Sequence, residues 1–482
     1  METTFTAPAL MPALPEIFLL TMACVILIAD LFFSEEQRVY TYILSLLTLA
    51  GLAGITFWQL GQPDVTTFSD MYVADGMAHV LKLFSYAAVA AAFVYSRDYL
   101  KARDIYKGEF YVLGLFSLMG MMIIISGHHF LTLYLGLELM SLCLYGMVAM
   151  RRDDGIASEA AMKYFVLSSI ASGMLLYGIS ILYGVSGGAL GITEFSQWLA
   201  TAELSTGLGL GLVFIVVAVA FKFGAVPFHM WLPDVYDGAP TAVTLFLGTA
   251  PKFAAFAMVM RLLADALGAA VDWWQPMLAA LAVLSMGIGA VVAIAQVSLK
   301  RMLAYSTIMN VGFILMGVLA GTEQGYQAAM FYTIVYVIMA AAGFGMILLL
   351  ARNGFEGDKI DDFAGLARRN PWFAAVMMFV MFGMAGVPPF AGFYAKFEAI
   401  RAALDVGLLW LALSAVVFSV IAAFYYLRLV KVMYFDEPAA ESQVLDAPMD
   451  ARAVMTVNGL AILLLGIFPG GLMAICLRAI GG

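Results

Sequence analysis

The sequence predicts an all-α membrane protein of about fourteen transmembrane helices, with two inverted five-helix repeats that each contain a broken helix. Three observations predict it. The 482 residues are 63% hydrophobic and only 12% charged, with a mean hydropathy of +0.96, whereas a soluble domain carries about 25% charged residues. Basic residues alternate from one loop to the next. Two proline-interrupted apolar runs recur five helices apart.

A spanning helix needs roughly 20 apolar residues. Such runs fall at 12–32, 40–60, 77–97, 110–127, 129–150, 158–184, 206–227, 240–264, 274–296, 302–320, 326–350, 372–401, 406–435 and 452–474. The fourth and fifth are separated only by the Gly127-His128-His129 corner. The longest polar stretches, Arg352–Arg369 and Asp436–Arg452, read as loops. The opening METTFTAPALMPALPEIFLL has no positive n-region and reads as a retained first span, not a signal peptide.

Loop charge tests this segmentation independently. Odd-numbered loops hold Arg38, Arg97, Lys101, Arg103, Lys107, Arg151, Arg152, Lys300, Arg301, Arg352, Lys359, Arg368, Arg369, Lys431 and Arg452. The even-numbered loops and the tail hold essentially Arg261, Arg401 and Arg478. A miscounted central helix would scramble that alternation. The positive-inside rule puts the odd loops in the cytoplasm and both termini on the periplasmic side of a bacterial inner membrane.

The seventh span ends in KFGAVPFH, Lys222 to His229, and the twelfth contains AGVPPFAGFYAK, Ala385 to Lys396. Each places glycine, proline, aromatics and a lysine within an apolar run. Paired interrupted helices at matching positions are the sequence pointer to inverted-repeat transporters. The predicted units are three N-terminal helices over 1–109, a first repeat over 110–264, a second over 265–435, and a C-terminal loop and helix over 436–482.

Composition and spacing exclude several functions. A net charge of −9 argues against nucleic acid. Cys24, Cys143 and Cys476 are scattered in apolar runs with no CxxC spacing, which argues against an iron–sulfur or zinc site. No GxGxxG or P-loop pattern follows a strand-like run. His79, His128, His129 and His229 do not form helical pairs that could hold haem. The chain is expected to bind no cofactor of its own.

The informative residues are charges inside spans. An ionisable group near the centre of a membrane helix costs about 2.5–3.5 kcal/mol on insertion scales. Glu138 lies in the fifth span and Lys163 in the sixth; Lys222, Lys252 and Lys396 lie in the seventh, eighth and twelfth. Lys82, near the start of the third, is either a further member or a snorkelling side chain. Counted from the Arg151-Arg152 loop at 1.5 Å per residue, Glu138 and Lys163 both sit roughly 14–18 Å deep, so a pair between them is expected. The lysines outnumber the carboxylates. Burial disfavours an ammonium and a nearby carboxylate favours it, so an amine between those influences can load and release a proton. That is proton-relay chemistry; a sodium site would gather several carboxylates and carbonyls at one point. Pro227 and Pro388-Pro389 remove backbone hydrogen bonds within the membrane, which persists where backbone lines a hydrated cavity or is packed in protein.

The run FGAVPFHMWLPDVYDGAPT, Phe223 to Thr241, closely resembles the signature of the antiporter-like membrane subunits of respiratory complex I. LKRMLAYSTI from Leu299, LGLEL around Glu138 and EAAMKYF around Lys163 extend the resemblance over about 12–474. Leu14-Pro15-Glu16, a lysine at position 396, and the end of the chain after the fourteenth helix make it most similar to the N-type members. The resemblance implies fourteen helices, proton translocation without redox chemistry in this chain, and partners among the other membrane subunits, including a neighbouring antiporter-like one. NADH, FMN, iron–sulfur clusters and quinone would be handled elsewhere in the complex. It further implies that Glu138 tunes Lys163 as the loading lysine, that Lys222 and Lys252 carry protons along a central axis, and that Lys396 is the lysine of the second repeat. One position departs from the pattern. The family often has a histidine where this chain has Asn310, which can order water but cannot titrate.

Two other readings fit the same charges: a free-standing or Mrp-type cation/proton antiporter, and a structural membrane anchor. Partner chains separate the first from the leading reading. The anchor reading requires Lys163→Ala and Lys222→Ala to leave pumping intact.

Overall fold

The computed structural model describes residues 7–203, 205–351, 355–438 and 447–481. Arg352, residues 1–6 of the opening segment and 439–446 of the last polar loop lie outside the described residues. In hydrocarbon every backbone polar group must pair internally, so apolar runs of this length form helices. Among the described residues thirteen helices are long and apolar enough to cross a membrane. The twelfth predicted span adds one more crossing as two half-helices, Pro371–Ala385 and Ala391–Asp405.

Helix starts follow from local chemistry. Asp75, Asp154, Ser205, Ser298 and Thr322 each accept a first-turn N–H and begin spans three, six, seven, ten and eleven. The corner between Gly108–Ile125 and Phe130–Val148 is fixed by bridges from Tyr72 to Gly127 and from His129 to Gly191. Tyr72 belongs to a small antiparallel hairpin, Val65–Thr67 with Tyr72–Ala74.

Spans eight (Thr241–Ala266), ten (Leu299–Leu319) and eleven (Glu323–Leu350) are almost wholly buried within the chain, while spans one, two, thirteen and fourteen expose much of their apolar surface. Wholly apolar helices in the middle of a bundle have no lipid face to distinguish. The core therefore lies between the fifth-to-eighth group and the tenth-to-twelfth group.

Two sets of backbone bonds recur in the two halves. Phe130 N–H bonds Leu190 C=O and Ile192 N–H bonds His128 C=O; in the second half Leu299 N–H bonds Asp358 C=O and Ile360 N–H bonds Val297 C=O. Each set ties the start of a span to a short lateral helix, Ile192–Leu199 or Ile360–Phe363. Packing repeats as well. Gly120 abuts Gly136 and Met140 of span five, and Gly289 abuts Tyr305 and Met309 of span ten, so closely that a Cβ at either glycine would strike backbone.

Both predicted breaks are real. The seventh span stops at Phe223 and resumes as Trp231–Gly238; the twelfth stops at Ala385 and resumes at Ala391. The sequence reading placed residues 228–239 in a loop, but Trp231–Gly238 is helical and completes the seventh span. Gly224 (φ 77°) and Gly386 (φ 86°) terminate the first pieces in the left-handed region. Ala225 N–H bonds Ala220 C=O, and Val387 N–H bonds Phe382 C=O, the same six-residue closure at each break. Phe228 N–H to Ala225 C=O and Phe390 N–H to Val387 C=O complete the match, and each break carries a cis X-Pro bond.

Candidate functional site: buried amines at the helix breaks

The last carbonyls of a helix have no intrahelical partner, and in a membrane water does not reach them freely. At the first break Ala220 and Phe221 carbonyls are satisfied by Ala225 and Gly224 N–H, and the Trp231 indole also donates to Phe221. Val226 N–H turns away to Ser285 Oγ, and Lys252 Nζ from span eight donates to the Phe223 carbonyl at 3.0 Å. At the second break Met384 and Ala385 carbonyls are left. Lys396 Nζ donates to both, at 2.9 and 3.1 Å, and to Ser419 Oγ at 3.0 Å. The Lys396 amine also lies 5.2 Å from the Phe313 ring centroid. Lys252 and Lys396 are buried. Negative helix C-termini favour cations, so each break is a ready seat for an ammonium without any carboxylate.

Lys222, two residues before Gly224, is held differently. Its amine donates to Ser141 Oγ at 3.1 Å and Ser168 Oγ at 2.7 Å, from spans five and six. Ser141 is one turn from Glu138 on the same helix. Glu138 is the carboxylate whose charge acts on the Lys222 amine, and its buried Oε1 has no hydrogen-bond partner. Lys222 and Lys252 both line a small cavity of ≈ 20 Å³ with Tyr164, Trp231 and Leu247, room for about one water.

Between this group and Lys396 lies a cluster of hydroxyls and one amide. Tyr332 OH donates to Asn310 Oδ1 at 2.8 Å, Asn310 Nδ2 donates to Ser306 C=O and Oγ, and Ser306 Oγ meets Tyr426 OH at 2.5 Å. Tyr336 OH donates to Thr307 Oγ1 at 2.7 Å. Ser306 Oγ reaches Met384 Sδ at 3.9 Å, beside the carbonyl that Lys396 holds. Asn310 is engaged at both ends of its amide, Nδ2 with Ser306 and Oδ1 with Tyr332.

Lys163 is not where the depth argument put it. Its amine pairs with Glu159 at 2.7 Å and Asp234 at 2.9 Å, and its side chain is 41% exposed. Helical side chains lean toward the N-terminus of their helix, and for span six that direction is the basic face. Lys163 therefore reaches outward to carboxylates at that face, and Glu138 is left to Lys222. Asp234 also binds Arg301 at 2.9 Å, and it sits on the helical piece Trp231–Gly238, between the apolar runs 206–227 and 240–264. Lys82 does not snorkel. It is buried, 2.6 Å from Glu16 Oε1, and donates to Tyr72 OH, which donates to the other Glu16 oxygen. The sequence does not mark Glu16, Asp234, Ser141, Ser168 or Ser419 as partners of these amines. A serine on an apolar helix is too common to mark a ligand; Glu16, in Leu14-Pro15-Glu16, and Asp234, inside the signature run, carry the legible signals.

At the basic face Glu356 binds Arg103 at 2.7 Å and accepts 2.6 Å hydrogen bonds from Tyr99 OH and Thr241 Oγ1. Desolvation works to raise this loop carboxyl, but the two hydroxyl donors and the Lys300 and Arg103 charges outweigh it, so its pKa lies below the ordinary glutamate value.

A family profile described as NADH:quinone oxidoreductase/Mrp antiporter, transmembrane, matches residues 127–422. The chain is 58% identical over 480 residues to NADH-quinone oxidoreductase subunit N of Thioalkalivibrio sulfidiphilus, covering 99% of each. It is 56% identical over 472 residues to the subunit N of Thiobacillus denitrificans, covering 98% of this chain and 97% of that one. Among solved structures, a chain of respiratory complex I from Thermus thermophilus with bound aureothin superposes with TM-score 0.84 at 29% identity, covering 96% of this chain and 100% of that one. A chain of the Mrp complex from Dietzia sp. DQ12-45-1b superposes with TM-score 0.83 at 20% identity, covering 98% and 96%, a likeness of fold alone.

Proposed function

The chain belongs to the subunit N family of NADH-quinone oxidoreductase, the proton-translocating respiratory complex I, and from that premise we propose that protons cross it along Glu138, Lys163, Lys222, Lys252 and Lys396. As a subunit of that complex it works in the membrane beside other membrane subunits.

The observation that carries the relay reading is the seating of the amines. Lys222, Lys252 and Lys396 are bound by hydroxyls and backbone carbonyls, with no carboxylate in ion-pair contact among the described residues. Such dipoles accept a hydrogen bond from either the ammonium or the amine, so neither charge state leaves the site unpaired. Inside the bundle a contacting carboxylate would lock the charge in place. Lys163 carries its two carboxylate partners, Glu159 and Asp234, only at the open basic face, where solvent weakens such pairs and a proton can arrive. Glu138 supplies a negative field on Lys222. The hydroxyls of Tyr332, Ser306, Tyr426, Thr307 and Tyr336 continue the polar route toward Lys396.

The finer reading has three further parts. Residues 110–264 and 265–435 act as the two inverted repeats, supported by the matched closures at Gly224 and Gly386. The basic face is cytoplasmic and both termini periplasmic in a bacterial inner membrane, supported by the alternation of loop charge. The chain holds no redox cofactor, which fits its three separate cysteines; NADH, FMN, iron–sulfur clusters and quinone work in other subunits, and a neighbouring antiporter-like subunit abuts this one.

The test is NADH-driven proton uptake in inverted membrane vesicles, with Lys222→Met and Lys396→Met compared with wild type at matched complex content. The relay reading requires fewer protons per NADH in both variants. Unchanged stoichiometry in both would defeat it and favour an anchor.

A further inference from the structure

By sequence Lys300 is one of the loop charges. The structure buries it at 3% exposure at the start of span ten. Its amine donates to Asp237 C=O at 2.8 Å and Ala239 C=O at 3.0 Å. These carbonyls flank Gly238, between the helical piece Trp231–Gly238 and the start of span eight at Thr241. Among the described residues no carboxylate is within ion-pair distance of the amine, although Glu356, Asp237 and Asp358 act on it at longer range and Arg151 opposes them. One residue on, Arg301 binds Asp234 and reaches Asp237; two residues before, Ser298 Oγ donates to Asp237 Oδ1 at 2.8 Å. On the far side of the joint, Thr244 Oγ1 bonds Tyr236 C=O and Thr241 Oγ1 bonds Glu356.

The start of span ten, in the second repeat, thus grips the hinge between spans seven and eight in the first. Asp234 reaches Lys163 from a helical piece whose C-terminal end is that hinge, and Arg301 beside Lys300 steadies its carboxylate directly. A hinge of Asp237-Gly238-Ala239-Pro240 has little of its own to fix it: Gly238 is permissive, and Pro240 has no N–H.

We propose that Lys300 is a positioning residue that clamps the Asp237–Ala239 hinge and so holds Asp234 in reach of Lys163, joining the two repeats at the basic face. It acts through two donated hydrogen bonds and a fixed charge, without giving up its proton. The inference rests on the relay reading only for its link to pumping; the clamp itself is a statement about the hinge.

The experiment compares Lys300→Met and Lys300→Arg in the intact complex, by hydrogen exchange of the 231–244 segment and by NADH-driven proton uptake. Lys300→Met is expected to speed exchange of the Ala239 and Thr244 amides about tenfold, the scale of losing charged hydrogen bonds, and to lower uptake. Lys300→Arg, which keeps charge and donors but cannot deprotonate, is expected to restore both. Unchanged exchange in Lys300→Met would overturn the clamp. Restored exchange without restored uptake in Lys300→Arg would also overturn it, because Lys300 would then be titrating. If Lys222→Met and Lys396→Met pump normally, the relay reading fails, while the exchange result still decides the hinge.

Discussion

The two helix breaks share a backbone and differ in which lysine serves it. At the first, the leftover carbonyl of Phe223 is met by Lys252 from a neighbouring span, while Lys222, on the broken helix itself, turns to two serines. At the second, Lys396 from beyond the break returns to hold both Met384 and Ala385 carbonyls. The fixed element is therefore the open helix end, and the amine that fills it comes from a different place in the chain each time. The first half splits into two amines the work that the second gives to one. It also keeps a carboxylate, Glu138, beside its amines.

That difference ranks the expected effects of mutation. Lys396→Met should be the most damaging, since it strips two buried carbonyls at once; at about 1–3 kcal/mol per unsatisfied group, thermal stability of the subunit in the complex should fall clearly, and pumping with it. Lys252→Met strips one carbonyl, so its stability loss should be about half as large. Equal losses would break the comparison.

Gly224→Ala and Gly386→Ala test the helix ends themselves. Both glycines have positive φ, a conformation that costs a residue with a Cβ about 1–2 kcal/mol. Beyond that cost, a Cβ at Gly386 would lie 3.0 Å from Lys396 Cδ, whereas one at Gly224 would strike Leu232 Cδ1 and no lysine. Gly386→Ala should therefore lower proton uptake more than its stability loss accounts for, and Gly224→Ala should not.

Smaller effects come from the hydroxyls. Ser168→Ala leaves Lys222 with Ser141 alone, and Ser419→Ala leaves Lys396 with its carbonyls. Each removes a bond of about 0.5–1.5 kcal/mol, and pumping should be more sensitive to Ser168→Ala because Lys222 has no backbone partner to fall back on.

The smallest effect concerns the second-repeat loop whose Glu356 binds Thr241 of the first. The folded-state pKa of Glu356 is depressed, so its grip on Arg103, Tyr99 and Thr241 is present above the ordinary glutamate pKa and is lost as pH falls through the lowered folded value. Local hydrogen exchange near Thr241 should rise on acidification below that range, and Glu356→Gln should flatten the dependence.

Much of this fold could be read from residues. The apolar runs, the Pro227 and Pro388-Pro389 interruptions and the loop charges located the spans and both breaks, because membrane length and the cost of charge in lipid leave few arrangements. The pairing of charges was less legible. Depth along a helix gave Glu138 and Lys163 equal standing, but side-chain direction, which depth ignores, sent Lys163 to Glu159 and Asp234. The carbonyl seats of Lys252, Lys300 and Lys396 had no signal at all, since backbone acceptors carry no residue identity.

Relay through Lys396 requires a buried amine on a helix end to alternate its charge. Lys396→Arg decides whether it does: arginine can donate to the same carbonyls but stays protonated. Proton uptake per NADH in vesicles of that variant, at unchanged complex content, should fall as far as in Lys396→Met. Wild-type uptake would contradict the account, since a fixed charge would then suffice.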